Sequence, residues 1–168
     1  MTHWIIAPVI LPALLAPIIA FVMRHDFTLA RAASVAGTLA LLAISIGLTI
    51  IAMGGETIAY TLGDWPAPFG IVLVLDRLSA LMVLLTSALA LVVLIHVIAT
   101  KWDEKGRHFH ALFQFQLMGI TGAFLTGDAF NLFVFFEVLL IASYGLMIHG
   151  GGRTRLRAGV QYVVYNLA

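Results

Sequence analysis

Apolar residues fall in five long runs separated by short polar breaks. Each run is close to the twenty or so residues that cross about 30 Å of hydrocarbon at about 1.5 Å per residue. The pattern predicts membrane helices at about 4–23, 30–53, 77–100, 109–127 and 129–149. A sixth begins near Leu156, and Leu156–Ala168 is too short to span, so the expectation is a fragment or a truncated chain. Helices are the natural element here, because a bilayer offers no partner to a free backbone N–H or C=O. Pro8, Pro12 and Pro17 should bend the first span, which membrane helices tolerate. Between the second and third spans, Tyr60–Trp65 and Ile71–Leu75 are short β-prone runs around Pro66-Ala67-Pro68-Phe69-Gly70. Turn residues between two such runs predict a β-hairpin at about 60–75, lying on the outer face and tying neighbouring helices or subunits together.

Composition agrees with the pattern. Hydrophobic residues make up 62% of the chain and charged ones only 10%, where a soluble domain carries roughly a quarter charged. There is no cysteine, so disulfides, iron–sulfur clusters and thiolate metal sites drop out. Nothing resembles a phosphate-cradling loop, a nucleophile elbow or a nucleotide fingerprint. The expectation is no cofactor, no nucleic acid and no soluble enzyme chemistry.

Charge placement sets orientation. Arg24 and Arg31, then Lys101, Lys105 and Arg107, then Arg153, Arg155 and Arg157 lie in alternate connections on one side. The other side has only Arg77, beside Glu56, Asp64 and Asp76. The positive-inside rule then puts the N-terminus outside and the basic loops in the cytoplasm of a bacterial inner membrane. Trp4, Trp65 and Trp102 fall near the expected interfaces, where an aromatic belt belongs. The first span should remain as an anchor, since Met1-Thr2-His3-Trp4 lacks the basic start of a signal peptide.

One residue conflicts with its surroundings. Glu137 sits in Phe133-Val134-Phe135-Phe136-Glu137-Val138-Leu139-Leu140-Ile141, roughly 12 Å from the outer end of its span by rise per residue. An ionised carboxylate at that depth costs several kcal/mol unless paired, hydrated or protonated, so intramembrane acids usually mark function. The alternative is an interhelical hydrogen bond or a static ion pair. Its helical neighbours Phe133, Val134, Leu140 and Ile141 are apolar, with Tyr144 two turns on. None of the five spans offers a Lys or Arg toward it.

Other polar groups have two readings each. Gln114 and Thr121 share a stripe with Met118 on the fourth span, while Gln116 points elsewhere; Gly119 and Gly122 admit a close neighbour. The Gln and Thr side chains fit interhelical hydrogen bonding, or a water chain toward Glu137. Asp128 opens the fifth span and fits a helix cap or the outer mouth of a polar path. Asp76-Arg77 fits a local ion pair. His96 and His149 lie toward the cytoplasmic ends of their spans and are incidental or proton relays. His108 and His110 with Asp103 and Glu104 match no compact metal-ligand spacing. Arg153, Arg155 and Arg157 suit the positive-inside rule and anionic headgroups.

The stretch His108-Phe109-His110-Ala111-Leu112-Phe113-Gln114-Phe115-Gln116-Leu117-Met118, then Leu125-Thr126-Gly127-Asp128, resembles the D-type subunit of multisubunit Mrp/Pha-type monovalent cation/proton antiporters. So do Asn131-Leu132-Phe133-Val134-Phe135-Phe136-Glu137, Ser143-Tyr144-Gly145-Leu146, Trp65-Pro66-Ala67-Pro68-Phe69-Gly70-Ile71 and Asp76-Arg77-Leu78-Ser79. The resemblance runs along the whole chain. It implies kinship with the proton-pumping membrane subunits of respiratory complex I and an architecture of about fourteen helices with two inverted five-helix repeats. Residues 1–107 would then be three leading helices with the outer hairpin, and residues 108–168 the start of the first repeat. It maps the family's key glutamate onto Glu137 and implies partner lysines in helices beyond Ala168. The expected fold is therefore an all-α polytopic membrane protein, with five complete spans and part of a sixth. The expected function is that of a membrane component of a Na⁺(K⁺)/H⁺ antiporter, working among other membrane subunits. In that reading Gln114, Thr121, Asp128, Tyr144 and His149 form a supporting polar path. The alternatives are a proton-pumping subunit of a quinone oxidoreductase or membrane hydrogenase, and a non-transporting assembly subunit.

Overall fold

The computed structural model describes residues 2–65 and 70–167. The chain is helical throughout apart from one small hairpin. It begins with a 3₁₀ turn, Thr2–Ile6, leading into α1, Ala7–Pro17. Pro12 and Pro17 lie inside this helix, and past Pro17 the coil widens into a π segment, Ile18–Val22. Next come α2, Phe27–Ala52; the strands β1, Ile58–Thr61, and β2, Val72–Leu75; and α3, Arg77–Ala99. A short 3₁₀ turn, Asp103–Lys105, precedes α4, Phe109–Leu125, and α5, Ala129–Met147, and α6, Arg153–Leu167, complete the chain.

Helix starts follow capping chemistry. The Asp26, Asp76 and Asp128 side chains accept the backbone N–H of Leu29, Ser79 and Asn131, satisfying donors the helices leave open. Asp76 and Ser79 form a reciprocal capping box. The Asp76 carboxylate is thus spent on Ser79, and the expected Asp76–Arg77 pair does not form among the described residues. α5 ends where Gly150, Gly151 and Gly152 all take positive φ, a turn that side chains with a Cβ resist. α6 accordingly starts at Arg153, ahead of the expected Leu156.

Packing explains the small residues. α2 buries Ala30, Ser34, Thr38, Leu41, Ser45, Leu48 and Ala52, a stripe at spacings of three and four. α3 presents Ala80, Val83, Ser87, Ala90 and Leu94 at the same spacing. Small side chains let the two backbones close, and the Ser45 and Ser87 hydroxyls meet at 2.7 Å across the seam. α4 sits centrally, packed on α1, α3 and α5. Four helical segments among the described residues are long and apolar enough to cross a bilayer: His3–Val22, Phe27–Ala52, Arg77–Ala99 and Ala129–Met147. α4 has 17 residues and falls just short of that length, against the nineteen of the expected fourth span. Its neighbours shield it, so it keeps polar side chains that a lipid-facing helix would not.

The hairpin is present, with its first strand earlier than expected. β1 and β2 pair antiparallel, Ile58 opposite Leu75 and Thr61 opposite Val72. The expected strand over Tyr60–Trp65 stops at Thr61, because Leu62–Asp64 coils into a 3₁₀ turn with Gly63 and Asp64 at positive φ. The turn residues 66–69 lie outside the described residues. β2 also bridges Leu73 to Thr126, and Gly127 N–H donates to Val72 O at 2.8 Å. Leu73 and Leu75 are fully buried with Leu48, Val83 and Leu125, so the hairpin fastens the α4–α5 corner to α2 and α3.

Candidate functional site

α5 packs one face on α4 and leaves much of the rest uncovered. A Cβ on Gly119 would stand 2.6 Å from the Cβ of Leu139, and one on Gly122 would collide with the Phe135 ring. Across the same seam, a Cβ on Gly145 would lie 2.8 Å from Leu112. The sequence's small residues therefore set the α4–α5 distance. Glu137 is on the far side of α5 from Leu139 and Ala142, because successive helical positions turn by about 100°. It is half-buried, between the exposed Phe133, Phe136 and Ile141. Among the described residues it makes no ion pair and no hydrogen bond.

Tyr144 shares Glu137's stripe two turns away, about 10 Å along the axis. α6 crosses the basic-side half of that stripe. The Tyr162 ring meets Tyr144 edge-on at 5.5 Å between centroids, and its hydroxyl lies 3.4 Å from that of Ser143. The Tyr144 hydroxyl is buried without a partner among the described residues. Glu137 and Tyr144 are thus an unpaired acid and an unpaired phenol on one face of one helix.

The other candidates point elsewhere. Gln114 is 1% exposed, and its Nε2 donates to Ser34 O at 3.2 Å, with Ser34 Oγ and Thr38 Oγ1 close by, all on α2. Thr121 Oγ1 shares its one proton between Pro8 O at 2.9 Å and Leu117 O, on its own helix, at 2.8 Å. The Pro8 carbonyl would normally receive the N–H four residues on, but Pro12 has none. Thr121 fills the vacancy that the proline leaves in α1. Of the two readings open for these side chains, interhelical hydrogen bonding is the one their contacts supply. Gln116, one turn from both Leu112 and Gly119, lies on the face α5 packs against, and its Oε1 is buried without a partner among the described residues.

Asp128 caps α5. The Asn131 backbone N–H at 2.7 Å, then the Asn131 side-chain amide, hold its carboxyl below the ordinary carboxylate range. Ser79 does the same for Asp76, through its backbone N–H at 2.6 Å. His149 is buried at the basic end of α5, its Nε2 3.0 Å from Trp102 O. Arg155 donates to His149 O, and Lys105 and Arg155 cover the Trp102 ring at 3.8 and 4.4 Å.

One cluster was only partly visible in the sequence, where Asp103, Glu104 and His110 stand near one another but Arg31 does not. Asp103 is fully buried, and its Oδ2 takes Arg31 Nε at 2.8 Å and lies 3.2 Å from His110 Nε2. Glu104 adds a contact to Arg31 at 3.2 Å. Arg31 and Asp103 are 72 positions apart, and no local spacing announces such a pair. The cluster is an ion-pair core, and no group of three or more metal-ligating side chains occurs among the described residues.

No family model matches the chain. It is 50% identical to the D subunit of a probable K⁺/H⁺ antiporter from Rhizobium meliloti (strain 1021), over 99% of this chain and 32% of that protein. Relatives from Alkalihalophilus pseudofirmus and Bacillus subtilis, each 39% identical, are named as the D subunit of a Na⁺/H⁺ antiporter. The chain is similar to these antiporter subunits along nearly its whole length. It spans about a third of the length of each of them. The fold is similar as well. The Mrp complex from Dietzia sp. DQ12-45-1b contains a chain that superposes with a TM-score of 0.88 at 31% identity, covering 99% of this chain and 32% of that one. An archaeal respiratory complex, the membrane-bound sulfane sulfur reductase, has a chain at 0.88 and 26% identity, covering 95% and 33%. The chain is thus a multi-pass helical membrane protein.

Proposed function

We propose that this chain is part of a membrane subunit of a multisubunit Na⁺(K⁺)/H⁺ antiporter, with Glu137 as its proton-coupling carboxylate. The observation that carries the reading is the state of Glu137, an acid on an apolar helix with no countercharge among the described residues. Such a group is stable as a protonated acid, or as a carboxylate once a cation or water reaches it. Exchange between those states is what coupling a proton to a cation needs. Antiporter naming among the homologues supports the same reading. In this proposal lysines of later helices supply the cation, and Na⁺ or K⁺ leaves as protons enter. Tyr144 extends Glu137's stripe toward the basic end, Asp128 shapes the outer mouth, and His149 receives protons at the other end. Gln114 and Thr121 serve the path by fixing α4 against α2 and α1. Residues 1–107 are the leading helices and 108–168 open the first repeat. The N-terminus faces outward from a bacterial inner membrane, with the basic loops in the cytoplasm and other membrane subunits alongside.

Antiport in everted vesicles carrying the full-length complex tests this. Glu137→Gln keeps the size and removes the charge, and should reduce exchange to the background of empty vesicles while the complex still assembles. Wild-type exchange in that variant would sink the reading, and loss of assembly would favour the non-transporting alternative. The likeness to the sulfane sulfur reductase chain favours a second reading, a proton-moving subunit of a redox complex. Purification separates the two, since hydrophilic redox subunits accompany the chain only in the second.

A further inference from the structure

The proposed path uses Glu137 and leaves the Asp103 cluster unexplained. Asp103 is 0% and His110 1% exposed, and each has one buried polar atom without a partner among the described residues, Asp103 Oδ1 and His110 Nδ1. A fully buried carboxylate is stable only with good partners. Arg31 is permanently charged and donates to Oδ2, so Asp103 stands there as an acceptor. His110 must then offer its N–H at Nε2, 3.2 Å away, which leaves Nδ1 as a bare lone pair. Phe109 and Phe27 pack at 5.4 and 5.8 Å from the imidazole.

We propose that His110, held by Asp103, is a proton-binding site on the basic-loop side, separate from Glu137. The proton comes from water and forms one new N–H bond at Nδ1. The imidazolium then shares Asp103 with Arg31. Charge accounting favours occupancy: Arg31 faces two carboxylates, Asp103 and the half-exposed Glu104, so one added proton brings the group of four side chains to neutrality. Opposing it are burial and the neighbouring cations. His149 packs on the same Phe109 ring at 5.2 Å, and Lys105 and Arg155 sit on Trp102 behind it. Arg24, His25 and Arg107 line a cavity of about 240 Å³ with Phe27. The site ties α2, the α3–α4 connection and α4 together, so its charge state acts on the contact between α2 and α4.

This site is independent of antiport, and its test reads protonation directly. The full-length chain in lipid, with ¹⁵N-labelled histidine rings, is titrated by solid-state NMR, and His110 is assigned by the signal lost in His110→Gln. The expected result is an Nε2–H tautomer at high pH converting to imidazolium in a single step as the sample is acidified. Asp103→Asn should lower that midpoint by about one unit, a tenfold loss of proton affinity. Arg31→Gln should raise it, and carries the test if Asp103→Asn does not fold. A wild-type His110 that keeps one protonation state across the range overturns the proposal. So does a midpoint indifferent to both substitutions.

Discussion

Two carboxylates lie at opposite extremes in this chain. Asp103 is fully enclosed and held at one oxygen, Oδ2, by a guanidinium and an imidazole drawn from different helices. Glu137 is only half-buried, yet has no partner at all among the described residues. The more deeply buried acid is the settled one, because its partners fold into place around it. The difference teaches that burial alone does not mark a working acid; burial without a partner does.

The sharpest way to break the comparison is to neutralise each acid in turn. Glu137→Gln should remove essentially all cation/proton exchange and leave thermal stability of the complex within about 1 kcal/mol, since no contact is lost. Asp103→Asn should do the opposite in kind. It strands Arg31 and His110, and breaking a buried pair typically costs about 3–5 kcal/mol. Thermal unfolding followed by tryptophan fluorescence in detergent would register it as a large fall in Tm. If Glu137→Gln unfolded the protein and Asp103→Asn did not, the contrast between the two acids would be lost.

A smaller effect probes the helix that carries Glu137. Gly119→Leu forces a side chain into the Leu139 backbone, and overpacking of this kind costs about 1–3 kcal/mol. It should also tilt α5 and reduce exchange with Glu137 intact. Cross-linking between cysteines placed on α4 and α5 would report the altered spacing. Unchanged cross-linking would show that Gly119 does not set it.

Much of this was legible in sequence, and the limits have physical causes. Apolar run length located the helices within a few residues, because the bilayer dictates it. Glu137 stood out since a single charge in an apolar run is a local signal. The hairpin was visible in Pro and Gly, but β1 ended early where Gly63 and Asp64 turn left-handed, a conformation that composition does not time. Arg31–Asp103 and Thr121–Pro8 escaped notice because both join residues far apart in the chain. The second had one local sign: Pro12 frees the carbonyl of Pro8, and a freed carbonyl in a membrane needs a donor from somewhere. Thr121→Val should therefore cost about 0.6–2 kcal/mol in the same unfolding measurement, within the range for membrane hydrogen bonds.

The smallest expected effect lies at the caps of α3 and α5. Asp76 and Asp128 both hold carboxyls below the ordinary range through hydrogen bonds from the N–H groups of Ser79 and Asn131. A depressed folded-state pKa contributes stability that is complete above the unfolded value, near pH 4, and lost as pH falls through the folded one. Acid should then loosen the capped ends of α3 and α5. Asp128→Asn keeps much of the cap geometry and should remove this acid sensitivity at α5, at a cost of about 0.3–1 kcal/mol near neutral pH from the lost charge at the helix N-terminus. Hydrogen exchange of the Phe130–Leu132 amides at pH 3 and pH 7 measures it. In the wild type protection should fall at the lower pH; in Asp128→Asn it should stay flat. Equal loss in both proteins would mean that Asp128 acts only as a hydrogen-bonding cap, and that its charge contributes nothing to how α5 carries Glu137 into the membrane.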